Sequence, residues 1–163
     1  LFKHATTRRQ MLFVGISLFA VFMVGTLMGR MPTMIDISEW EIFEFANAAP
    51  PEYVIFTMEQ TSQHISATLT NASAENEIAV AAAFILVKLV CETANEWRVF
   101  PFGSDVNFAA AETILPPGYG AQFVLTPEML AADLLPGEYK IVTTIRKNNT
   151  KTQAWAAFDL EEI

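Results

Sequence analysis

Apolar and polar positions follow two different rhythms along this chain. The run "MLFVGISLFAVFMVGTLMG", residues 11–29, holds 19 residues without a charge. As a helix rising about 1.5 Å per residue it is roughly 28 Å long, close to the roughly 30 Å hydrocarbon core of a bilayer. After residue 50 the rhythm shortens. "HISATLT" (64–70) alternates strictly, with Ile65, Ala67 and Leu69 on one side and His64, Ser66, Thr68 and Thr70 on the other. That is the pattern of a half-buried strand. "YVIFTM" (53–58) is β-branched and aromatic, and "NASAENE" (71–77) is turn-like. "IAVAAAFILVKLV" (78–90) is interrupted by Lys88 and too short to cross a bilayer as a helix. It reads as a buried central strand with room for a bulge among its alanines, although alanines also suit a short helix.

The remaining segments continue the strand pattern. "EWRVFPF" (96–102) reads as the return of a hairpin, and "AQFVL" (121–125) follows the turn "PPGYG". "TPEMLAADL" (126–134) has Pro at a first helical position and predicts one helical turn. "EYKIVTTIR" (138–146) and "TQAWAAFDL" (152–160) flank the hairpin loop "KNNTK". About seven short strands separated by turns predict an antiparallel β-sandwich.

Charge divides the chain at residue 30. Residues 1–30 carry four basic side chains (Lys3, Arg8, Arg9, Arg30) and no acid, whereas residues 31–163 carry six basic against 18 acidic side chains, a net −12. Basic residues before an apolar span favour an inside N-terminus. The chain is therefore divided into a basic cytoplasmic tail (1–10), a transmembrane signal anchor (11–29), a juxtamembrane connector (30–50) and a sandwich (51–163), with the C-terminal domain outside the cell membrane. Cleavage is the alternative. Against it, no small-residue A-x-A site follows the run until Ala46–Ala48, and 19 residues exceed the usual signal core of about 7–15. The acidic outer part argues against nucleic acid, which rewards clustered Lys and Arg.

The connector segment "MPTMIDISEWEIFEFANAAP" (31–50) supports two local readings. Asp36 or Ser38 caps a short helix, Ser38 and Glu41 having capping-box spacing, or "EWEIFEF" forms a strand. Its Trp40, Phe43 and Phe45 either pack on the domain or membrane interface, or dock another membrane protein.

"LLPGEYKIV" (134–142) places a Pro-Gly turn directly before Tyr139, with Ile141, Thr143 and Ile145 on the same face. In immunoglobulin-like sandwiches a Tyr near the start of strand F bonds back to the backbone at the E–F corner. Tyr139 is accordingly expected to be a structural brace. Residues 53–160 resemble a bacterial immunoglobulin-like domain family of extracytoplasmic, often lipoprotein, proteins of Gram-positive-type bacteria. The resemblance rests on "ISATLTNASAENEI", "FILVKLVCETANEWRVFPF", "ILPPGYGAQFVL", "LLPGEYKIV" and "AWAAFDL" in that order. The fold it implies is all-β, an immunoglobulin-like antiparallel sandwich, here preceded by a single N-terminal transmembrane helix. Two features depart from the family. "AVAAAF" stands where a Tyr-Gly pair is common, and the lipobox cysteine is absent. The resemblance brings no catalytic residues with it.

The residues themselves point to no reaction. Catalytic, cofactor and metal sites are all expected to be absent. His4 and His64 fall on opposite sides of the proposed membrane, no G-x-S-x-G elbow accompanies His64, and "PPGYG" has no lysine for a phosphate loop. The lone Cys91 excludes an internal disulfide and is expected to be a buried, inert thiol. One stretch has binding character. "EWRVFPFGSDVNF" gathers Trp97, Arg98, Phe100, Phe102 and Phe108, residue types favoured at binding hot spots. Core packing competes for the same aromatics.

The expected role is a membrane-anchored extracytoplasmic binding or accessory domain with a protein partner and no enzymatic activity. Partner contact is assigned to Trp97, Arg98, Phe100, Phe102 and Phe108, with Trp40, Phe43 and Phe45 of the connector. The alternative is a small subunit of a membrane complex that meets its partners through the span and residues 31–50.

Overall fold

The alternation of residues 64–70 becomes the middle strand of a sheet. In a computed structural model, which describes residues 36–61 and 63–161, nine strands are present. They are β1 (Ile42–Phe43), β2 (Val54–Gln60), β3 (Ile65–Asn71), β4 (Ile78–Cys91), β5 (Glu96–Phe100), β6 (Glu112–Leu115), β7 (Gly120–Leu125), β8 (Gly137–Lys147) and β9 (Thr150–Leu160). One sheet has the order β2-β3-β7, and the other β1-β5-β4-β8-β9 with β6 beside the first part of β4. Every ladder is antiparallel. The expected all-β sandwich is observed. The expected span at 11–29 lies outside the described residues, among which no helix is long and apolar enough to cross a membrane.

The core lies between the two sheets and follows the period-two faces. Ile65, Ala67 and Leu69 of β3 and Phe123 and Leu125 of β7 meet Phe84 and Leu86 of β4, Tyr139, Ile141 and Ile145 of β8, and Phe158 of β9. The alanine run of β4 carries the bulge its composition allowed. Val80 pairs with Ile145 and Phe84 with Thr143, so two extra residues of β4 fit between successive inward positions of β8. The Thr143 hydroxyl donates to the carbonyls of Ala81 (3.2 Å) and Ala83 (3.0 Å), and the Ala82 N–H donates to Ala111 (2.9 Å). Backbone groups freed by the bulge thereby find partners, as buried peptide groups must.

The Pro136–Gly137 turn leads straight into Tyr139 near the start of β8. Tyr139 is fully buried and its hydroxyl donates to the Leu135 carbonyl at 2.6 Å. Lys88 is buried beside it. Its ammonium donates to the Pro136 carbonyl at 2.6 Å and lies 4.5 Å from the Tyr139 ring centroid. Turn, tyrosine and lysine make one unit. Tyr139→Phe is expected to cost about 0.5–1.5 kcal/mol, the worth of one buried hydrogen bond.

The same substitution changes the alkaline limb of the stability profile. Burial raises the Tyr139 pKa above its ordinary 10.0. Its contribution is fully present below pH 10 and is lost as pH climbs toward the raised folded value, because the unfolded tyrosine ionises first. Burial lowers the Lys88 pKa, which acts in the opposite sense. Comparing native protein with Tyr139→Phe cancels the lysine. The native protein is expected to lose stability more steeply above pH 10 in urea titrations.

Candidate binding surface

The eight residues assigned to partner contact separate into three places. Trp97 and Phe100, three apart on β5, point to opposite faces of the sheet, as strand geometry requires. Phe100 is 1% exposed and meets Trp40 edge-on at 4.8 Å inside the core. Phe102 and Phe108 pack on Phe84 and on each other, with centroids 4.9 to 5.7 Å apart. Trp97, Phe43 and Phe45 converge on the outer face of the larger sheet. Arg98 is spent internally. It bonds the carbonyls of Ile37 (3.2 Å), Ser38 (2.6 Å) and Trp40 (3.1 Å), and its Nη2 lies 2.6 Å from Glu96.

The described part of the connector is a strap across that outer face. Asp36 accepts from the Ser38 N–H at 2.9 Å and caps a single 3-10 turn, Ile37–Glu39. Trp40 then enters the core, and β1 pairs with β5 through Ile42–Arg98 and Phe43–Trp97. Phe45 lies over the sheet against Trp97 (5.7 Å) and Trp155 (4.6 Å). The Lys140 ammonium sits 3.8 Å from the Trp97 ring centroid and 4.9 Å from that of Phe45, and burial there lowers its pKa. Beneath them Val87 and Val142 are buried, with Ile85, Leu89 and Val99 around them. The strap ends at β9. The Asn47 side chain donates to the Gln153 carbonyl and accepts from its N–H, both at 3.1 Å, while the Gln153 side chain accepts from the Ala46 N–H at 2.8 Å. Trp40, Phe43 and Phe45 therefore pack on the domain, one of the two readings of the connector.

Among the described residues, the most exposed aromatic side chain lies elsewhere, in a turn. Asn71, fully buried at the end of β3, organises the loops there. Its amide donates to the carbonyls of Asn76 and Leu115, each at 2.8 Å, and its oxygen accepts from the N–H (3.0 Å) and hydroxyl (2.6 Å) of Ser73. Its backbone bonds both Gly118 (2.8 Å) and Tyr119 (2.9 Å). Pro116–Tyr119 closes with a Tyr119 N–H to Pro116 bond of 3.1 Å, and Gly118 has φ +80°, the conformation a type II turn requires at its third residue. Tyr119 is left 66% exposed on this braced turn. Ile55, opposite Thr70 and hence across β3 from Gly120, is 54% exposed, and Ile114 is 53% exposed just before the turn. No feature of the 97–108 cluster pointed here. The signal in the sequence was a tyrosine between two glycines after two prolines, which has no strand face to turn inward.

The titratable candidates have structural surroundings. The imidazole Nδ1 of His64 lies 3.2 Å from the Thr61 hydroxyl, which also accepts from the His64 N–H at 3.1 Å, so the pair closes the turn before β3. Cys91 departs from expectation, being half-exposed at the end of β4. Its Sγ lies 3.3 Å from the Thr93 hydroxyl, and hydrogen bonds from Thr93 and the Ala94 backbone lower its pKa. Among the described residues, no group of three or more His, Cys, Asp or Glu side chains could hold a metal ion.

Residues 54–157 match the family described as bacterial Ig-like domain, and no curated protein matches the chain. The match covers the sandwich from the start of β2 to near the end of β9, in line with the resemblance carried by the ordered motifs.

Proposed function

This chain belongs to the bacterial Ig-like domain family, and we propose that it serves as a membrane-anchored, extracytoplasmic, non-catalytic binding or accessory domain. The carrying observation is Tyr119, an exposed aromatic ring on a turn pinned by buried Asn71. Tyrosine gives large contact area for little conformational entropy, and loops at a sandwich end are where such scaffolds bind. Pro116, Pro117 and the Asn71 bonds order the turn in advance, which reduces the entropy lost on binding. The 19-residue apolar run with basic flanks supports the anchor. The packed state of Trp40, Phe43 and Phe45 favours this reading over a subunit that meets partners through its connector, because those side chains already fill the domain's own surface.

Affinity capture from native membranes tests the reading, with the full chain and with residues 34–163 on a substitute anchor run side by side. Both are expected to retain the same partner, and Tyr119→Ala is expected to weaken retention at least about tenfold. Its stability should change by less than about 0.5 kcal/mol, as for an exposed side chain without framework contacts. Retention by the full chain alone would assign specificity to residues 1–33. Recovery of the full chain in the soluble fraction of a cell lysate would remove the anchor.

A further inference from the structure

Strand β9 is an edge of the larger sheet, paired with β8 alone. The two bonds between Asn47 and the Gln153 backbone show that the N–H and C=O of Gln153 point away from β8. Antiparallel ladders alternate, so the backbone groups of Lys151, Trp155, Ala157 and Asp159 point outward as well. Among the described residues, the strap is what covers this edge, and it covers Gln153.

The charges along the edge are arranged end to end. Lys151 stands at one end of β9 and Asp159 at the other, both exposed and on the same face. Each lies opposite a like charge on β8, Lys151 beside Arg146 and Asp159 beside Glu138. Arg146 is paired with Glu112, whereas like charges directly opposite are unfavourable. An antiparallel two-fold pairing of β9 with a second β9, centred on Trp155, puts each Lys151 opposite the other copy's Asp159 and each Gln153 opposite Ala157. All of these are residues with outward-pointing backbone groups. The basic end of each protomer's sheet meets the acidic end of the other, and the interface is self-complementary, as a two-fold requires.

We propose that β9 is a self-association strand, its partner a second copy of this chain, and that the strap ending at Asn47 blocks it. Asn47 occupies the same N–H and C=O of Gln153 that the other copy's Ala157 would bond, so strap and partner exclude one another. Phe45, wedged between Trp97 and Trp155, holds the strap in place. Exposed edges are commonly guarded against such pairing; here the guard is a segment bound through side chains, which can leave without breaking a ladder at β9.

Sedimentation velocity of the full chain in a mild detergent tests the pairing, each variant being read against the unaltered chain at the same concentration. Phe45→Ala with Asn47→Ala is expected to double the sedimenting mass. Adding Lys151→Glu should weaken this association roughly tenfold, because two like-charge contacts arise per dimer. Adding Asp159→Lys on top of it should restore the association, since the reversed charges again oppose. If the double variant does not fold, Asn47→Ala alone, which leaves every aromatic contact in place, is expected to shift in the same direction. A folded strap variant that sediments like the unaltered chain overturns the proposal. So does an association that ignores Lys151→Glu, or one in the unaltered chain that Lys151→Glu already dissolves.

Discussion

Trp40→Ala is expected to lower the unfolding free energy of residues 34–163 by about 3–5 kcal/mol, the range for truncating a core tryptophan. Trp40 is 8% exposed and lies in the main core against Phe100, although it precedes the first long strand by 14 residues. Arg98 holds Trp40 and the turn before it through the carbonyls of Ile37, Ser38 and Trp40 itself, so the surroundings cannot readily collapse into the vacated volume. Such partial relaxation is what makes cavities costly. Trp40→Phe should be much milder. The indole N–H of Trp40 is buried without a hydrogen-bond partner among the described residues, and removing an unsatisfied donor recovers about 1–3 kcal/mol of its desolvation penalty, offsetting part of the lost area. Urea denaturation of both variants measures the difference. A loss below about 1 kcal/mol for Trp40→Ala would show that the strap does not complete the core, since core truncations exceed this. A fragment beginning at residue 51 should lose at least as much as Trp40→Ala, a large share of the roughly 5–15 kcal/mol typical of a domain.

What could be read along the chain depended on the range of the contact. Alternation located β3, β8 and β9 because a period of two reports burial on one face, and each of these strands turns a fully buried row of alternate residues to the core, although Val142 of β8 is also buried beneath the strap. Tyr139 was legible because a tyrosine directly after a Pro-Gly turn has one geometry that buries its ring and satisfies its hydroxyl. Strand β6 has no such signature. Three of its four residues are exposed, so its sequence carries no apolar period.

The binding surface was less legible for two distinct reasons. The 97–108 aromatics are neighbours in sequence, but a strand sends Trp97 and Phe100 to opposite faces, so proximity along the chain did not become a patch. The strap's end at Gln153 depends on a contact 106 positions away from Asn47, which no local pattern encodes. Lys88 falls between these cases. Its charge inside an apolar run signals an exception, but the Pro136 carbonyl that receives it appears only when β4 and β8 are aligned.

That lysine makes Gly137 the second position where a small change should have a large effect. Gly137 begins β8 at φ +131°, a conformation that side chains rarely adopt, and a Cβ built there would lie 2.6 Å from the Lys88 ammonium nitrogen. Gly137→Ala therefore meets two obstacles. Backbone strain costs about 1–3 kcal/mol. The ammonium must also move from its place beside the Pro136 carbonyl, which weakens a charge-assisted bond worth about 1.5–3 kcal/mol. A combined loss of about 2–4 kcal/mol is expected, since the flexible lysine can recover part of its bonding. The two contributions separate in a cycle with Lys88→Met, whose shorter apolar end carries no ammonium. In that background Gly137→Ala should cost the strain alone, about 1–3 kcal/mol, and the difference is the coupling between glycine and lysine. Equal costs in both backgrounds would mean that Lys88 yields freely and that the glycine is required by backbone conformation alone. If the coupling is as expected, the turn, the lysine and Tyr139 act as one brace. The glycine in "LLPGEYKIV" then serves two physical needs, a conformation that favours glycine and the space taken by a buried cation.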